Sequence, residues 1–263
     1  MSGDGPGWGT SSRFYLPNED AAVAGAALKA LGFAPRRPAF VGGSGMLLLE
    51  AARLLPRLER ADFVDVAPFQ CAYAVRLLAA VRFSRSPGDL RDWFATKVHP
   101  ELEEHFAARG QRFPLENVMS ALENLFGCRF FFDVGALDEA RRVAERTVIH
   151  MGDIVSHVAV AEAPGGDCDF CCLGNVADYL PLERLDALWA ACAPRGVPIL
   201  LLLTSACPDA SSVRRSWEDG GFSPHPASRE LDEMNRGLGS ATLARSWNRP
   251  GTYTLLIPAA KGA

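Results

Sequence analysis

A glycine-rich turn near the start of the chain is the first feature whose residue types point to a defined chemistry. Residues 41–45 read Val-Gly-Gly-Ser-Gly, after a short apolar segment and before a run of helix-forming residues. Glycines at a strand-to-helix turn let the backbone pass close to a ligand, and the first N–H groups of the helix then point at that ligand. Gly43, Ser44 and Gly45 are therefore predicted to bind a cofactor; the alternative is a turn without a ligand.

A carboxylate ends the next apolar segment, about 20 residues beyond these glycines. Asp65 stands there, where an acidic side chain can accept hydrogen bonds from both hydroxyl groups of an adenosine ribose. Dinucleotide-binding enzymes share this layout, but they have a further glycine at the position of Val41, without which a pyrophosphate lacks its closest approach to the backbone. The alternative for Asp65 is a solvated strand end.

Polar residues also follow the third and fourth predicted strands. Asp153 stands after the third strand, where it could bind an adenine amino group or cap a helix. Asn175 and Tyr179 lie in the stretch after the fourth strand, at the sheet edge where open α/β folds bind ligands. Asn175 offers a donor and an acceptor to an amino acid moiety, and Tyr179 offers a hydroxyl and a π face to a cation. We expect the reaction centre here; the alternative is a turn before the next helix.

Helix and strand patterns alternate along the chain. Apolar periodicity and helix-breaking residues predict a helix at 21–31, a strand at 38–41, a helix at 46–55, a strand at 61–66 and a helix that starts at Pro68. After a helical insert at 84–146, the same signals predict strands at 147–150, 169–173 and 197–204, helices at 181–193 and 212–219, and closing strands at 244–247 and 252–257. This order indicates one α/β, Rossmann-like domain over residues 1–263, with a mostly parallel seven-stranded sheet, an antiparallel hairpin at its end and a mobile tail at 1–12.

The composition argues against several classes of partner. The 263 residues carry 27 basic and 31 acidic side chains, for a formal net charge of -4, and no basic patch indicates nucleic acid or an anionic membrane. A small-molecule substrate is therefore predicted. The longest apolar run, at 197–203, is far shorter than the ~20 residues of a membrane-spanning helix. The first residues lack the pattern of a signal peptide, so we expect a cytoplasmic protein.

The seven cysteines are an odd number and stand among apolar or small residues, as reduced core thiols do. Cys168, Cys171 and Cys172 could form half of a zinc site, but no second pair has matching spacing, so no metal is predicted. The five histidines show no spacing that pairs them with a serine or cysteine, and a hydrolase is not predicted.

Three stretches of the sequence resemble a known enzyme group. They are 14–20 (Phe-Tyr-Leu-Pro-Asn-Glu-Asp), 64–70 (Val-Asp-Val-Ala-Pro-Phe-Gln) and 173–180 (Leu-Gly-Asn-Val-Ala-Asp-Tyr-Leu). With them the chain resembles the S-adenosylmethionine-dependent 3-amino-3-carboxypropyl transferases, which include betaine-lipid synthases, nocardicin-type enzymes and azetidine-2-carboxylate synthases. The Asp-x-x-Pro-x-Gln element in the second stretch is the most specific of the three.

The resemblance implies the class I S-adenosylmethionine-dependent methyltransferase fold and S-adenosylmethionine as the cofactor. By that resemblance Gly43, Gly45 and Asp65 would bind the nucleoside. Asn175 and Tyr179 would bind the methionine end, and Tyr15 with Glu19 would close over the site, so that the catalytic set is Asn175, Tyr179 and Tyr15. The chain departs from many relatives in having Ala39 and Phe40, and no acidic residue, just before the glycine turn.

The reaction implied is attack on the methionine Cγ with release of 5′-methylthioadenosine. In its smallest version the cofactor's own α-amine closes a four-membered ring, azetidine-2-carboxylate; the other version transfers the group to a small acceptor. Two alternatives stay open on the same fold. One is a small-molecule methyltransferase that releases S-adenosylhomocysteine, and the other is a cofactor-binding module without turnover.

Overall fold

A computed structural model describes residues 15–17, 21–108, 110–159, 167–205, 207–238 and 251–259. Within these residues seven strands form one sheet in the order β3-β2-β1-β4-β5-β7-β6. In chain order they are β1 (Pro38–Val41), β2 (Ala61–Asp65), β3 (Thr147–Met151), β4 (Phe170–Gly174), β5 (Ile199–Thr204), β6 (Phe222–Pro224) and β7 (Gly251–Pro258). Strands β1 to β5 are parallel, whereas β7 runs antiparallel to both β5 and β6.

Eleven α-helices precede or connect these strands in the described part of the chain. They are α1 (Ala21–Ala30), α2 (Met46–Ala52), α3 (Pro68–Phe83), α4 (Pro87–Trp93), α5 (His99–Ala107), α6 (Leu115–Asn124), α7 (Val134–Arg146), α8 (Ile154–Ala159), α9 (Leu182–Cys192), α10 (Ala210–Asp219) and α11 (Ser228–Leu238). None of them combines the length and the apolar character that crossing a bilayer requires. Helices α4 to α7 occupy the segment between β2 and β3 in which an insert is predicted.

The sheet order confirms the predicted fold class. The order of strands reverses between β1 and β4, which are direct neighbours, so a crevice opens at their carboxyl ends. With the antiparallel β7 placed between β5 and β6, this is the Rossmann-like class I methyltransferase fold. The predicted mostly parallel seven-stranded sheet with an antiparallel end is therefore present.

The end of the sheet differs in detail from the prediction. The strand that pairs with β7 on its outer side is β6, which has only three residues and therefore no alternation that a sequence pattern could reveal. The predicted strand 244–247 and the tail 1–12 lie outside the described residues. Helix α11 is not predicted, helix α8 is anticipated only as the helix that Asp153 could cap, and α2 ends at Ala52 rather than at 55.

The hydrophobic core lies on both faces of the sheet. Strand residues alternate between two clusters of buried side chains: Phe40 and Phe170 belong to one, Ala39 and Cys171 to the other. The first cluster includes residues of α1, α2, α3 and α7, and the second includes residues of α8, α9 and α10. All five residues of β4 are buried, as expected for a central strand that helices cover on both sides.

Helix α2, which follows the glycine turn, is anchored by charged groups of the insert. All seven of its residues are buried, and Glu50 accepts a hydrogen bond of 2.6 Å from Arg53 Nε. Arg53 also pairs with Glu139 of α7. The Arg142 guanidinium donates to the carbonyl oxygens of Arg53 and Leu55 at 3.1 and 3.0 Å. Because these carbonyls lie beyond the helix end, Arg142 satisfies acceptors that the helix leaves open.

Candidate functional site

A cleft opens at the carboxyl edge of the sheet, where β1, β2 and β4 end. Its walls are formed by the segments that follow the first four strands, together with Pro17. Its empty volume is about 980 Å³, open solvent at the mouth included. The lining residues of these segments are Val41, Gly42, Gly43, Ser44, Leu47, Val64, Asp65, Val66, Ala67, Gln70, Gly152, Asp153, Ile154, Leu173, Asn175, Val176, Tyr179 and Leu180.

The glycine turn brings bare backbone to the cleft. A β-carbon at Gly42 would lie 1.6 Å from Oδ2 of Asp65, so no side chain fits at this position. At Gly43 a β-carbon would meet no atom of the described residues within 4 Å, but its φ of +67° favours glycine. Gly45 also has a positive φ, and its open side faces Phe63, Ala74 and Leu77 rather than the cleft. Of the predicted turn residues, Gly43 and Ser44 therefore line the cleft. Gly45 is the N-cap residue, directly before the first residue of α2.

The Asp65 carboxylate is held between two backbone segments. Its Oδ1 accepts from Ala67 N at 2.8 Å and its Oδ2 from Gly43 N at 3.3 Å. Burial raises the pKa of Asp65, and these two hydrogen bonds lower it by less. Because each carboxylate oxygen can accept more than one hydrogen bond, Asp65 keeps acceptor capacity for a ligand in the cleft.

The Asp-x-x-Pro-x-Gln element has a structural explanation. Pro68 is the first residue of α3, where its missing N–H is no loss. Gln70 is fully buried and its amide nitrogen donates to the carbonyl oxygen of Gly43. Asp65 and Gln70 thus hold Gly43 from its N–H and its C=O sides. Gln70 was not among the predicted site residues, although it stands in the motif that carries the resemblance.

Asp153 caps helix α8. Its Oδ1 accepts from the backbone N–H groups of Val155 and Ser156 at 2.9 and 3.2 Å, and from Arg184 at 2.6 Å. Burial acts to raise the pKa of Asp153, but the hydrogen bonds from Ser156 and Arg184 outweigh it and lower the pKa. Of the two predicted roles, the structure thus supports the helix cap. Asp153 also lines the cleft next to Gly152.

A cluster of hydrogen-bonded side chains lies where β4 and β5 end. The Asn175 amide donates to Oδ2 of Asp178 and to the Tyr179 hydroxyl, both at 3.1 Å. The Thr204 hydroxyl donates to the same Asp178 oxygen at 2.7 Å. Oδ1 of Asp178 is buried and has no hydrogen-bond partner among the described residues. The side chains of Asn175 and Tyr179 thus contact each other, and their binding of the methionine end of a cofactor stays a prediction. Asp178, which joins them to β5, lies in the same stretch but is not one of the predicted site residues.

Tyr15 is placed in the core and not in the cleft. Its side chain is buried, and its ring contacts those of Phe69, Tyr73 and His105 at centroid distances of 5.4, 5.9 and 6.0 Å. An aromatic ring gains more from this packing than from exposure at the mouth of the cleft. Among residues 15–17, the described part of this segment, Pro17 lines the cleft. Glu19 lies outside the described residues.

The charge of the cleft wall is acidic. Asp65 and Asp153 are the charged side chains among the described residues that line it, and none of these lining residues is basic. The described part of this wall offers no cation to a pyrophosphate. Because Arg184 pairs with Asp153, Asp65 is the lining carboxylate that favours a ligand with hydroxyl donors or a positive charge. The remaining lining residues are mostly apolar, as in most small-molecule sites.

No protein-family model matches the chain, and no curated protein matches it either. Among solved structures, the chain is similar to the methyltransferase domain of bacterial-CtHen1-C, at 12% identity over 91% of this chain and 97% of that one, with a TM-score of 0.48. It is also similar to geranyl diphosphate C-methyltransferase from Streptomyces coelicolor A3(2), at 12% identity over 91% and 78%, with a TM-score of 0.45. A third is precorrin-6y C5,15-methyltransferase from Geobacter metallireducens, at 12% identity over 91% and 88%, with a TM-score of 0.42. The assignment of the fold comes from the order of strands in the sheet. The chemistry of the cleft is inferred from the residues that line it.

Proposed function

We propose that the cleft binds S-adenosylmethionine and that the protein is a transferase using this cofactor on a small-molecule acceptor, with methyl transfer as the leading reaction. The observation that carries the proposal is the pairing of Asp65 with the glycine turn at the switch point of the sheet. The class I strand order supports the same cofactor and reaction. Three features of the cleft fit the nucleoside, the cation and the amino acid end of the cofactor in turn.

The nucleoside half fits the side of the cleft formed by β1 and β2. Asp65 has acceptor capacity for two ribose hydroxyl groups, and its carboxylate is held in place by Gly43 and Ala67. The bare backbone at Gly43 leaves the space that a ribose or adenine needs, because a β-carbon there would enter open cleft. A dinucleotide fits less well, since Val41 replaces a glycine and no described lining residue is basic.

The cationic sulfonium fits the charge of the lining residues. The Asp65 carboxylate and the π face of Tyr179 favour a positive charge, whereas the charge of Asp153 is offset by its pair with Arg184. At the amino acid end, Asn175 and Tyr179 are held together through Asp178. Asp178 is not among the described residues that line the cleft, so its contribution is to position the two side chains that do.

The bound cofactor would supply an electrophilic carbon next to a positively charged sulfur. The protein's own contribution is then mainly positioning, because a nucleophile held in line at close distance gains most of its rate advantage from orientation. Asp65 and the glycine turn hold the nucleoside, while Asn175 and Tyr179 orient the other end. The apolar lining residues, among them Leu47 and Leu173, exclude water from the reacting groups.

Transfer of the 3-amino-3-carboxypropyl group, or its cyclisation to azetidine-2-carboxylate, is the second candidate. The observation that favours it is the connected cluster of Asn175, Asp178 and Tyr179 in one of the stretches that carry the resemblance. The Asp65-x-x-Pro68-x-Gln70 element supports the nucleoside side of the cleft in either reaction. It therefore does not select the carbon that is attacked.

One experiment separates the candidates. Purified protein is incubated with S-adenosylmethionine, first alone and then with a panel of small oxygen, nitrogen, sulfur and carbon nucleophiles, and the products are identified by chromatography and mass spectrometry. The proposal expects S-adenosylhomocysteine in an acceptor-dependent reaction that Asp65→Asn reduces and the exposed-site control Asp138→Asn does not. Release of 5′-methylthioadenosine identifies the second candidate. Binding in calorimetry without either product identifies a module without turnover, and absence of binding overturns the proposal.

A further inference from the structure

A second group of polar side chains is buried on the α8 side of the sheet, outside the lining of the cleft. Asp62 on β2 has its Oδ1 3.3 Å from His150 Nε2 on β3 and its Oδ2 3.1 Å from His157 Nε2 on α8. The two imidazole ring centroids are 4.3 Å apart. The side chains of Asp62 and His157 are 1% and 5% exposed, and that of His150 is 19% exposed.

The distances between the candidate ligand atoms of this group match those between neighbouring ligands of a single metal ion. Zinc binds nitrogen and carboxylate oxygen at about 2.0–2.1 Å, and two such ligands in tetrahedral geometry are about 3.3 Å apart. The two distances between Asp62 and the histidines are 3.1 and 3.3 Å. All the candidate ligand atoms lie within 4.8 Å of one another, and this is the one such group among the described residues.

We propose that Asp62, His150 and His157 form a binding site for a divalent transition metal, zinc by preference. Two imidazoles and one carboxylate suit zinc better than magnesium or calcium, which prefer oxygen ligands only. The three side chains leave a fourth position for water. The ligands come from β2, β3 and α8, so the ion would tie this helix to two strands of the sheet.

The pKa values within the group are shifted by burial and by the neighbouring side chains. Burial lowers the pKa of His150, as does the neighbouring His157, and Asp62 opposes them by less. Burial acts to raise the pKa of Asp62, but the hydrogen bond from His157 and the charge of Arg60 outweigh it. What makes the group a candidate metal site is the short distances among its three side chains and their burial. The exposed part of His150 provides a route of entry.

Arg60 is the cation that faces the group. Its guanidinium lies 2.9 and 3.1 Å from the two oxygens of Asp62 and also pairs with Asp167. It holds the carboxylate from one side while the histidines hold it from the other. The positive charge of Arg60 would repel a bound metal ion. We therefore expect the zinc affinity to rise roughly tenfold when Arg60 is replaced by a neutral residue.

The site has a structural consequence for the cleft. Residues 152–154 line the cleft and lead directly into α8, which carries His157. A metal that joins α8 to β2 and β3 would hold this wall in place. The inference does not depend on the proposed function, because zinc binding is measured without cofactor or acceptor.

The test titrates the full chain, freed of metal by a chelator, with zinc in a calorimeter, and records the absorption spectrum with cobalt as a reporter of coordination geometry. We expect one equivalent of zinc per chain and a rise in thermal stability on binding. Asp62→Asn and His150→Gln should each weaken zinc binding at least tenfold, whereas Arg60→Gln should strengthen it. His225, which directly follows β6 and is not part of this group, provides the control variant His225→Gln. Circular dichroism checks that each variant is folded.

A thiol site is the main competitor for zinc. The Cys168 and Cys171 sulfur atoms are 3.6 Å apart and buried, so Cys171→Ser serves as a second control and should leave zinc binding unchanged. Absence of zinc binding by the wild-type chain overturns the proposal. Three other outcomes would also overturn it. They are wild-type zinc affinity in folded His150→Gln, weaker zinc binding in folded Arg60→Gln, and a loss of zinc binding that appears only in Cys171→Ser.

Discussion

Oδ2 of Asp65 occupies the space into which a side chain at Gly42 would project. A β-carbon at position 42 would lie 1.6 Å from this oxygen and 2.5 Å from the Asp65 Cγ atom. The same oxygen accepts a hydrogen bond from Gly43 N at 3.3 Å. The glycine turn after β1 and the end of β2 therefore depend on each other sterically as well as through hydrogen bonds.

Replacing Gly42 with alanine should displace the Asp65 carboxylate. We expect Gly42→Ala to lower S-adenosylmethionine affinity at least tenfold and to reduce the free energy of unfolding by about 1–3 kcal/mol, the usual cost of overpacking. Calorimetric titration and denaturant unfolding measure the two effects. Gly135→Ala is the control, since Gly135 is exposed on α7 and is not among the residues that line the cleft. Wild-type affinity in Gly42→Ala would show that Asp65 can move without loss.

Replacing Asp65 tests its acceptor role directly. Asp65→Asn keeps the size of the side chain but loses its charge and half of its acceptor capacity. We expect a loss of about 1.5–3 kcal/mol in cofactor binding, the scale of hydrogen bonds to a charged group. This is roughly 10- to 150-fold in Kd, measured by calorimetry. Asp138→Asn, an exposed carboxylate on α7, should bind as wild type. Unchanged binding in Asp65→Asn would remove this residue from the site.

The affinity for the cofactor should weaken in acid. The pKa of Asp65 is raised by burial, so protonation begins at a higher pH than for an ordinary aspartate and replaces an acceptor by a donor. Affinity is thus full above this raised pKa and falls as pH drops through it. Because the pKa of Asp65 is raised in the folded state, its protonation stabilises the folded protein. The loss of cofactor affinity in acid is therefore not caused by unfolding linked to Asp65. Binding titrations from neutral to acidic pH should show this fall in affinity for the wild-type protein. If the same fall persisted in Asp65→Asn, a group other than Asp65 would cause it.

Asn175 should matter more for turnover than for affinity. Its amide holds both Asp178 and the Tyr179 hydroxyl, so Asn175→Ala releases the group that orients the reacting end of the cofactor. Interactions realised mainly in the transition state appear in kcat. Steady-state kinetics should show a larger fall in kcat than rise in KM. Equal changes in both, or loss of structure in circular dichroism, would leave Asn175 with a turn-forming role only.

The anchoring of α2 should be visible in stability. Arg53→Ala leaves Glu50 buried without its ion-pair partner, and such a change costs about 3–5 kcal/mol. The pKa of Glu50 is already raised by burial, so the variant should recover stability as pH falls and Glu50 takes up a proton. Denaturant unfolding at several pH values measures this. The double variant Glu50→Leu with Arg53→Met removes both charges and should lose less than Arg53→Ala; a larger loss would contradict the ion-pair explanation.

Several elements of the fold follow from the sequence alone because their signals are local. The turn at 41–45 needs glycine because two of its residues have positive φ and a third has no room for a β-carbon. Pro68 marks a helix start because its ring suits the first helical turn. Asp65 is predicted from its distance to the glycines along the chain. The alternation of strand and helix patterns then leads to the sheet, although the three-residue β6 has too few residues to show a pattern.

The groupings that decide the chemistry depend on tertiary structure. Asp62 meets His150 and His157 across 88 and 95 residues of chain, because the register of β2 against β3 and the packing of α8 bring them together. Asp178 reaches Thr204 only through the pairing of β4 with β5. Tyr15 reads as a site residue in sequence, yet burial against Phe69 and Tyr73 places it in the core. The sequence by itself thus determined the glycine turn, Asp65 and the order of elements, which are local properties, whereas the polar clusters were decided by sheet register and packing, which no local pattern encodes.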